Sequence, residues 1–279
     1  MRLGAFEVAA LSDGTADLPF TQLLNAPKAN IEKALTKSFL KDPVESSFNG
    51  FLINTGSKLV LIDTGAGKLF GPTLGRLAAN LQAAGYQPEQ VDEIYITHMH
   101  PDHVGGLASD GKRVFPNAIV RVDQHDADFW LSAANLEAAS KDDKGFFQGA
   151  MASLKPYIDA GQFKPFDGNT DLVPGIKAIA ARGHTPGHSI YSVENQGQKL
   201  LLWGDLIHLG AMQFAAPDIT IKFDTDNKSA AVQRKKAFAE AAANGYWVAA
   251  AHLSFPGIGH VRHEGKAYAW VPANYTAAR

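Results

Sequence analysis

Three of the ten histidines in this chain fall in one short run, Thr97-His98-Met99-His100-Pro101-Asp102-His103. Imidazole nitrogen and carboxylate oxygen are ligands for zinc, manganese, iron or cobalt, and four donors exceed the needs of one open catalytic metal. If the extended backbone persists past Thr97, His98 and His100 project together, while Asp102 and His103 turn towards a second position. Further donors stand in Gly183-His184-Thr185-Pro186-Gly187-His188, in Trp203-Gly204-Asp205 and in Ala251-His252. Each of these follows an apolar run, so separate strands each deliver a potential ligand at their ends. Loops held by rigid strands are where such groups usually sit.

The runs that must position these donors read as strands at 6–10, 50–54, 58–63, 93–97, 118–122, 176–181, 189–194, 199–203 and 246–251. Helical spacing predicts helices from Pro72 to a stop at Gly85, over 124–139, over 146–160 and over 228–244, with Gly245 at a C-cap position. Strands come in clusters with helices interposed, which argues for two sheets covered by helices rather than a doubly wound parallel sheet. No repeat, low-complexity tract or linker divides the chain, so residues 1–279 read as one domain.

The 279 residues are 46% hydrophobic and 19% charged, with a formal net charge of −2. That balance gives no general attraction to nucleic acid or acidic membranes. The longest apolar run, Tyr246 to Ala251, is far too short to span a bilayer. Cysteine is absent, which excludes disulfides, thiolate nucleophiles and cysteine-ligated metals. The N-terminal residues hold no signal-peptide core, so the expectation is cytosolic residence or an export segment lying outside this chain. Gly65-Ala66-Gly67-Lys68 is not a phosphate loop, because Ile62 stands where that motif needs glycine. No Gly-x-Ser-x-Gly supports a serine hydrolase.

In order and context, His98-x-His100-x-Asp102-His103 followed by His184, Asp205 and His252 resembles the metallo-beta-lactamase superfamily. The resemblance implies an α/β fold, an αβ/βα sandwich of two mixed sheets flanked by helices. It implies His98, His100 and His184 as ligands of one metal and Asp102, His103 and His252 as ligands of a second, with Asp205 bridging both. Two divalent ions per chain follow, zinc before manganese, cobalt or iron. A narrower likeness lies in Phe48-Asn49-Gly50, in the continuation Val104-Gly105-Gly106-Leu107, in Asp205-Leu206-Ile207-His208 and in the run from Ala251 to His260. These are similar to the group containing methyl parathion hydrolase and dihydrocoumarin hydrolase. That group implies a dinuclear, commonly homodimeric hydrolase of small neutral aromatic lactones, aryl esters or organophosphate triesters.

The chemistry implied is attack on the carbonyl or phosphorus by hydroxide held between two cations, with Asp102 and Asp205 as the catalytic carboxylates. Lactones are expected as the main substrates and triesters as incidental ones. The alternatives are a dedicated organophosphate hydrolase, an acyl-homoserine lactonase with a long acyl groove, and a mononuclear iron oxidoreductase of the persulfide dioxygenase kind. By the same likeness Phe70, Trp130 and Phe146 match positions at an active-site entrance, and Leu23, His208, Ile221 and Phe223 join them as pocket residues. Asp63 is expected to brace the metal loop. His188 is expected to be structural, as are His125, His260 and His263.

Overall fold

Val60 and Ile62 leave one face of the strand Leu59–Ile62, Leu59 and Leu61 leave the other, and all four are buried. A strand buried on both faces must lie inside a layered structure. The computed structural model describes residues 1–274 and gives those layers. A six-stranded sheet runs in the order Arg2–Leu3, Phe6–Leu18, Val44–Asn54, Leu59–Ile62, Glu93–Tyr95, Ile119–Arg121, with its last two pairings parallel. A seven-stranded sheet runs Ala267–Pro272, Ile258–Glu264, Trp247–Ala249, Gln198–Leu202, Ser189–Asn195, Ile176–Ala180, Thr170–Val173. Only Gln198–Leu202 and Trp247–Ala249 pair in parallel there.

The sheets pack through Val60, Ile62, Phe51, Ile53 and Tyr95 of the first against Tyr191, Val193, Leu200 and Leu202 of the second. The opposite face of the first sheet carries Leu52, Leu61 and Ile94 beneath the helices Leu77–Ala83 and Lys144–Asp159. The opposite face of the second, with Leu201 and Val248, lies under Ala237, Phe238 and Ala241 of the helix Asn227–Asn244. This is the expected αβ/βα sandwich. Tyr191 closes the sheets together just under the first ligand loop, donating its hydroxyl to Ile96 O at 2.6 Å. No helix among the described residues is long and apolar enough to cross a membrane.

The helix expected from Pro72 begins only at Leu77. Residues 64–76 form an irregular loop because Gly71 and Gly75 take φ of +81° and +83°, in the left-handed region. Buried Asp13 fastens that loop by accepting N–H bonds from Ala66 and Gly75 at 2.9 Å and from Leu77 at 3.0 Å. The expected helix 124–139 is two helices, Gln124–Trp130 and Ala133–Ala138, because Ser132 N-caps the second through Asn135 N. Helix Asn227–Asn244 does end at Gly245 with φ +65°. The sequence reading missed the helix Lys28–Lys37, which has no capping side chain and anchors only Ile31 and Leu35. It also missed the hairpin of Ile258–Glu264 and Ala267–Pro272, where His260, Arg262 and His263 mask the strand pattern.

Asp13→Ala leaves three backbone donors without their acceptor. Urea unfolding should show a loss of about 3 kcal/mol, whereas Asp17→Ala, on the same strand but more exposed, should shift stability by less than about 0.5 kcal/mol.

Candidate metal centre

Each ligand loop follows the end of a strand. Glu93–Tyr95 leads to His98, Ile176–Ala180 to His184, Gln198–Leu202 to Asp205 and Trp247–Ala249 to His252. These ends meet at one edge of the sandwich. The turns after the first strand require glycine: a Cβ on Gly105 would lie 2.1 Å from Ala66 O, and one on Gly106 would lie 1.9 Å from Thr64 O. Thr64 binds the loop from the other side, its backbone N and its hydroxyl both donating to His103 O at 2.8 Å.

Two groups of side chains result. His98, His100, His184 and Asp205 bring one donor atom each within 4.8 Å of one another, and so do Asp102, His103, Asp205 and His252. Asp205 belongs to both. Its Oδ2 lies 3.3 Å from His184 Nε2, 3.1 Å from His252 Nε2 and 3.7 Å from His98 Nε2, and its Oδ1 lies 3.2 Å from His103 Nε2. Asp102 Oδ2 stands 3.3 Å from His103 Nε2 and 3.4 Å from His252 Nε2.

This donor set fits divalent cations. His98 Nε2, His103 Nε2 and Asp205 Oδ1 are buried without hydrogen-bond partners, an arrangement that is costly unless something else coordinates them. Burial and the neighbouring histidines hold His98 and His100 well below the usual imidazole range, so both present lone pairs. Burial opposes the charge on Asp205, but the imidazoles of His252 and His103 outweigh it and keep the carboxyl well below its ordinary value. Burial opposes charge on His103, His184 and His252 as well, but Asp205 and the carboxylates beside it outweigh burial and raise all three, so cation binding there would displace protons.

Outer partners orient the ligands. Asp63 accepts from Thr97 N, Thr97 Oγ1 and His103 Nδ1, each at 2.8 Å, as the sequence led us to expect. His184 Nδ1 donates to Asp224 Oδ1 at 2.7 Å. Arg234, fully buried, lies with Nη2 3.8 Å from Asp224 Oδ2 and donates to Leu206 O and Ile219 O. Nothing in the residue pattern flagged Asp224 or Arg234, because each acts across a long sequence separation. His188 accepts from Asp205 N at 3.1 Å through Nε2, and its Nδ1 lies 3.2 Å from Ala181 O. A neutral imidazole with the proton on Nδ1 makes both bonds, so His188 supports Asp205 from behind.

A cavity of about 470 Å³ opens beside His100 and Asp224. Phe129, Trp130, Phe146, Phe147 and Phe223 line it, with Lys222 and Asp143 among its polar members. Trp130 and Phe146 each meet the His100 ring edge-on at 5.1 Å. Trp130, Phe146 and Phe223 are therefore together at the donor cluster. The other expected pocket residues are not in the lining of this cavity. Phe70 is 45% exposed on the loop after Gly67. Ile221 is fully buried with Phe20 and Leu24, and Leu23 packs on that same cluster. His208 lies inside the donor cluster, with Nε2 3.0 Å from Asp205 Oδ2 and its ring stacked on His252.

A family model described as the metallo-beta-lactamase superfamily matches residues 47–270. The chain belongs to the metallo-beta-lactamase superfamily. Within it, a crystal structure of a hydrolase called AbOPH is 38% identical, covers 99% of this chain and 97% of its own, and superposes with a TM-score of 0.95. AidC, described as a dizinc quorum-quenching lactonase in complex with an N-acylated L-homoserine product, is 28% identical over 99% of this chain and 97% of its own, with a TM-score of 0.92. An N-acyl homoserine lactonase from Bacillus sp is 26% identical over 165 residues, covering 52% of this chain and 58% of that protein. The chain thus spans little more than half the length of such curated relatives. Both donor groups that share Asp205 lie within the matched residues 47–270.

A third cluster of Asp123, His125 and Asp167 is also close-set, but Arg182 sits in it, 3.1 Å from His125 Nδ1 and 3.7 Å from Asp167 Oδ1, and supplies the positive charge there.

Asp224→Ala strips His184 of its acceptor and should weaken zinc binding roughly 10–100-fold, whereas Asp224→Asn keeps an oxygen for that bond and should lose less; competition with a chromogenic chelator reads both. Burial, reinforced by nearby His184, depresses His188 to about 3. Unfolding then takes up a proton below the free value, so the stability His188 confers is complete above about pH 6.5 and lost as pH falls towards 3. In chelator-treated protein, the advantage of wild type over His188→Gln in denaturant melts should shrink steadily from pH 7 to pH 4.

Proposed function

We propose that this protein is a dinuclear metal-dependent hydrolase whose main substrates are aromatic lactones and aryl esters, with aryl phosphotriesters hydrolysed incidentally. In this reading residues 1–279 form one hydrolase unit. His98, His100 and His184 hold one cation, Asp102, His103 and His252 hold the other, and Asp205 is shared. The observation that carries the substrate class is the cavity wall, where five aromatic side chains stand beside His100. A flat, neutral, apolar substrate suits such a wall, because its burial gains from the hydrophobic effect and from ring contacts.

Two bound divalent ions, zinc first among them, supply a water of lowered pKa and polarise the oxygen of the bond under attack. The remaining work falls to the chain. Asp205 faces both donor groups with its two oxygens and keeps their separation constant. Asp102, 12% exposed at its side chain and 3.4 Å from His252, is the more accessible carboxylate and would hold or move a proton at its Oδ2. Trp130, Phe146 and Phe223 hold the ring of the substrate and exclude water from around the reacting carbonyl. A phenolate leaving group needs little protonation, so the absence of a strong general acid from this arrangement is no obstacle.

A second reading, an acyl-homoserine lactonase, is favoured by the similarity to AidC and to the Bacillus lactonase. It uses the same donors and differs in what fills the cavity.

The deciding measurement is kcat/KM of the zinc-loaded protein on dihydrocoumarin, methyl parathion and N-hexanoyl homoserine lactone side by side. Dihydrocoumarin should lead by at least tenfold, and all turnover should vanish with chelator and return with zinc. A lead for the homoserine lactone would install the second reading. Inactivity on all three with two metals bound would refute the substrate class.

A further inference from the structure

The helix Gln124–Trp130 buries three residues, Asp126, Ala127 and Trp130. Trp130 stands at the cavity beside His100. One turn earlier, Asp126 is a fully buried carboxylate that the hydrolytic mechanism does not use. Its Oδ2 accepts from Met99 N at 2.9 Å, the peptide between His98 and His100. Its Oδ1 accepts from Gly187 N at 2.5 Å, three residues beyond His184. One carboxylate therefore fastens the two loops that carry the first donor group. The approach is close enough to demand glycine, since a Cβ on Gly187 would lie 2.4 Å from Asp126 N and 2.9 Å from its Cβ.

We propose that Asp126 is a positioning residue, which sets the spacing of His98 and His100 against His184 and ties that spacing to the Trp130 wall of the cavity. The inference rests on the reading of these histidines as the ligands of one metal. Both bonds need acceptors, and the anion is the stronger acceptor at each oxygen, with no O–H competing for the space. Burial raises this carboxyl to about 6, so at neutral pH the anion persists, held by the Thr185 side chain and the two N–H donors against the cost of desolvation. An amide in its place would turn an NH2 towards one N–H and split the loops. The helix transmits the same constraint to Trp130, so metal spacing and cavity width are set by one element.

The test compares wild type with Asp126→Asn, using Zn²⁺ and Co²⁺ alone as probes. The variant should bind the more weakly held zinc at least tenfold less tightly, give an altered Co²⁺ absorption spectrum and lose about tenfold in kcat/KM. A purely structural role would lower Tm while leaving zinc affinity and the cobalt spectrum of the folded protein unchanged, and that result would overturn the proposal. Should Asp126→Asn fail to fold, Gly187→Ala opens the same bond while leaving every carboxylate in place; reduced zinc affinity supports the proposal and wild-type affinity refutes it. Should wild type bind no zinc, the functional reading fails separately. Hydrogen exchange of the Met99 and Gly187 amides in metal-free protein then decides about Asp126. Protection lost in the variant supports the clamp, and protection equal in both overturns it.

Discussion

Five imidazoles converge on the carboxylate of Asp205, those of His98, His103, His184, His208 and His252, with nitrogen–oxygen distances from 3.0 to 3.7 Å. Such a convergence inside a protein carries a desolvation cost, which the imidazoles offset at Asp205 itself. Burying one carboxylate costs several kcal/mol in effective terms, and unpaired imidazole nitrogens around it add to that cost. The arrangement becomes favourable when cations occupy the space between the donors, because each orphaned lone pair then gains a partner. The surrounding fold meets the demand that Asp205 be held while its ligand partners are brought to it.

The backbone around Asp205 shows how that is done. Gly204 takes φ of +53°, and a Cβ there would strike the Thr97 side chain and His188 Nε2 at 2.8–2.9 Å. The turn is thereby pressed against the first ligand loop. His188 receives the Asp205 N–H from one side, and Arg234 binds Leu206 O from the other. Arg234 comes from a helix on the outer face of the second sheet, so the helical layer reaches the donor cluster through Leu206 O and Asp224. Asn49 does the same for His252, donating to Leu253 O at 2.8 Å, while Phe48 packs edge-on against the His252 ring. The polar contacts are individually modest; together they leave the donor atoms few alternative positions.

The cavity follows from the same layering. Helices Gln124–Trp130 and Lys144–Asp159 cover the first sheet with Phe129, Trp130 and Phe147, and the rings run on from the core to the edge of the donor cluster. A wall that continues into the packed core is rigid, because its side chains have no free volume into which to rotate. Donor geometry and substrate wall are thus parts of one packed body.

The donors themselves were legible in the sequence, because metal ligation demands particular residue types and those cluster after strands. His98, His100, Asp102, His103, His184, Asp205 and His252 stand where a strand-end reading puts them. The two-sheet class was legible too, since buried strands must be apolar on both faces. Most strand bounds shifted by a residue or two, but Phe6–Leu18 and Val44–Asn54 pair with each other well beyond the expected 6–10 and 50–54, through half-buried positions that carry no apolar run. What sequence could not supply depended on long-range partners. Pro72 reads as a helix start until Asp13, on a distant strand, captures the backbone of the following loop. Ile221 reads as a pocket residue until the helix Lys28–Lys37, itself lacking any capping signal, brings Ile31 and Leu35 into the cluster that buries it. Asp63 could be anticipated, ending a strand beside the metal loop. Asp126, Asp224 and Arg234 could not. Residue type is a local property, whereas the worth of a buried carboxylate or guanidinium depends on which donors and acceptors the tertiary structure brings within 3 Å of it.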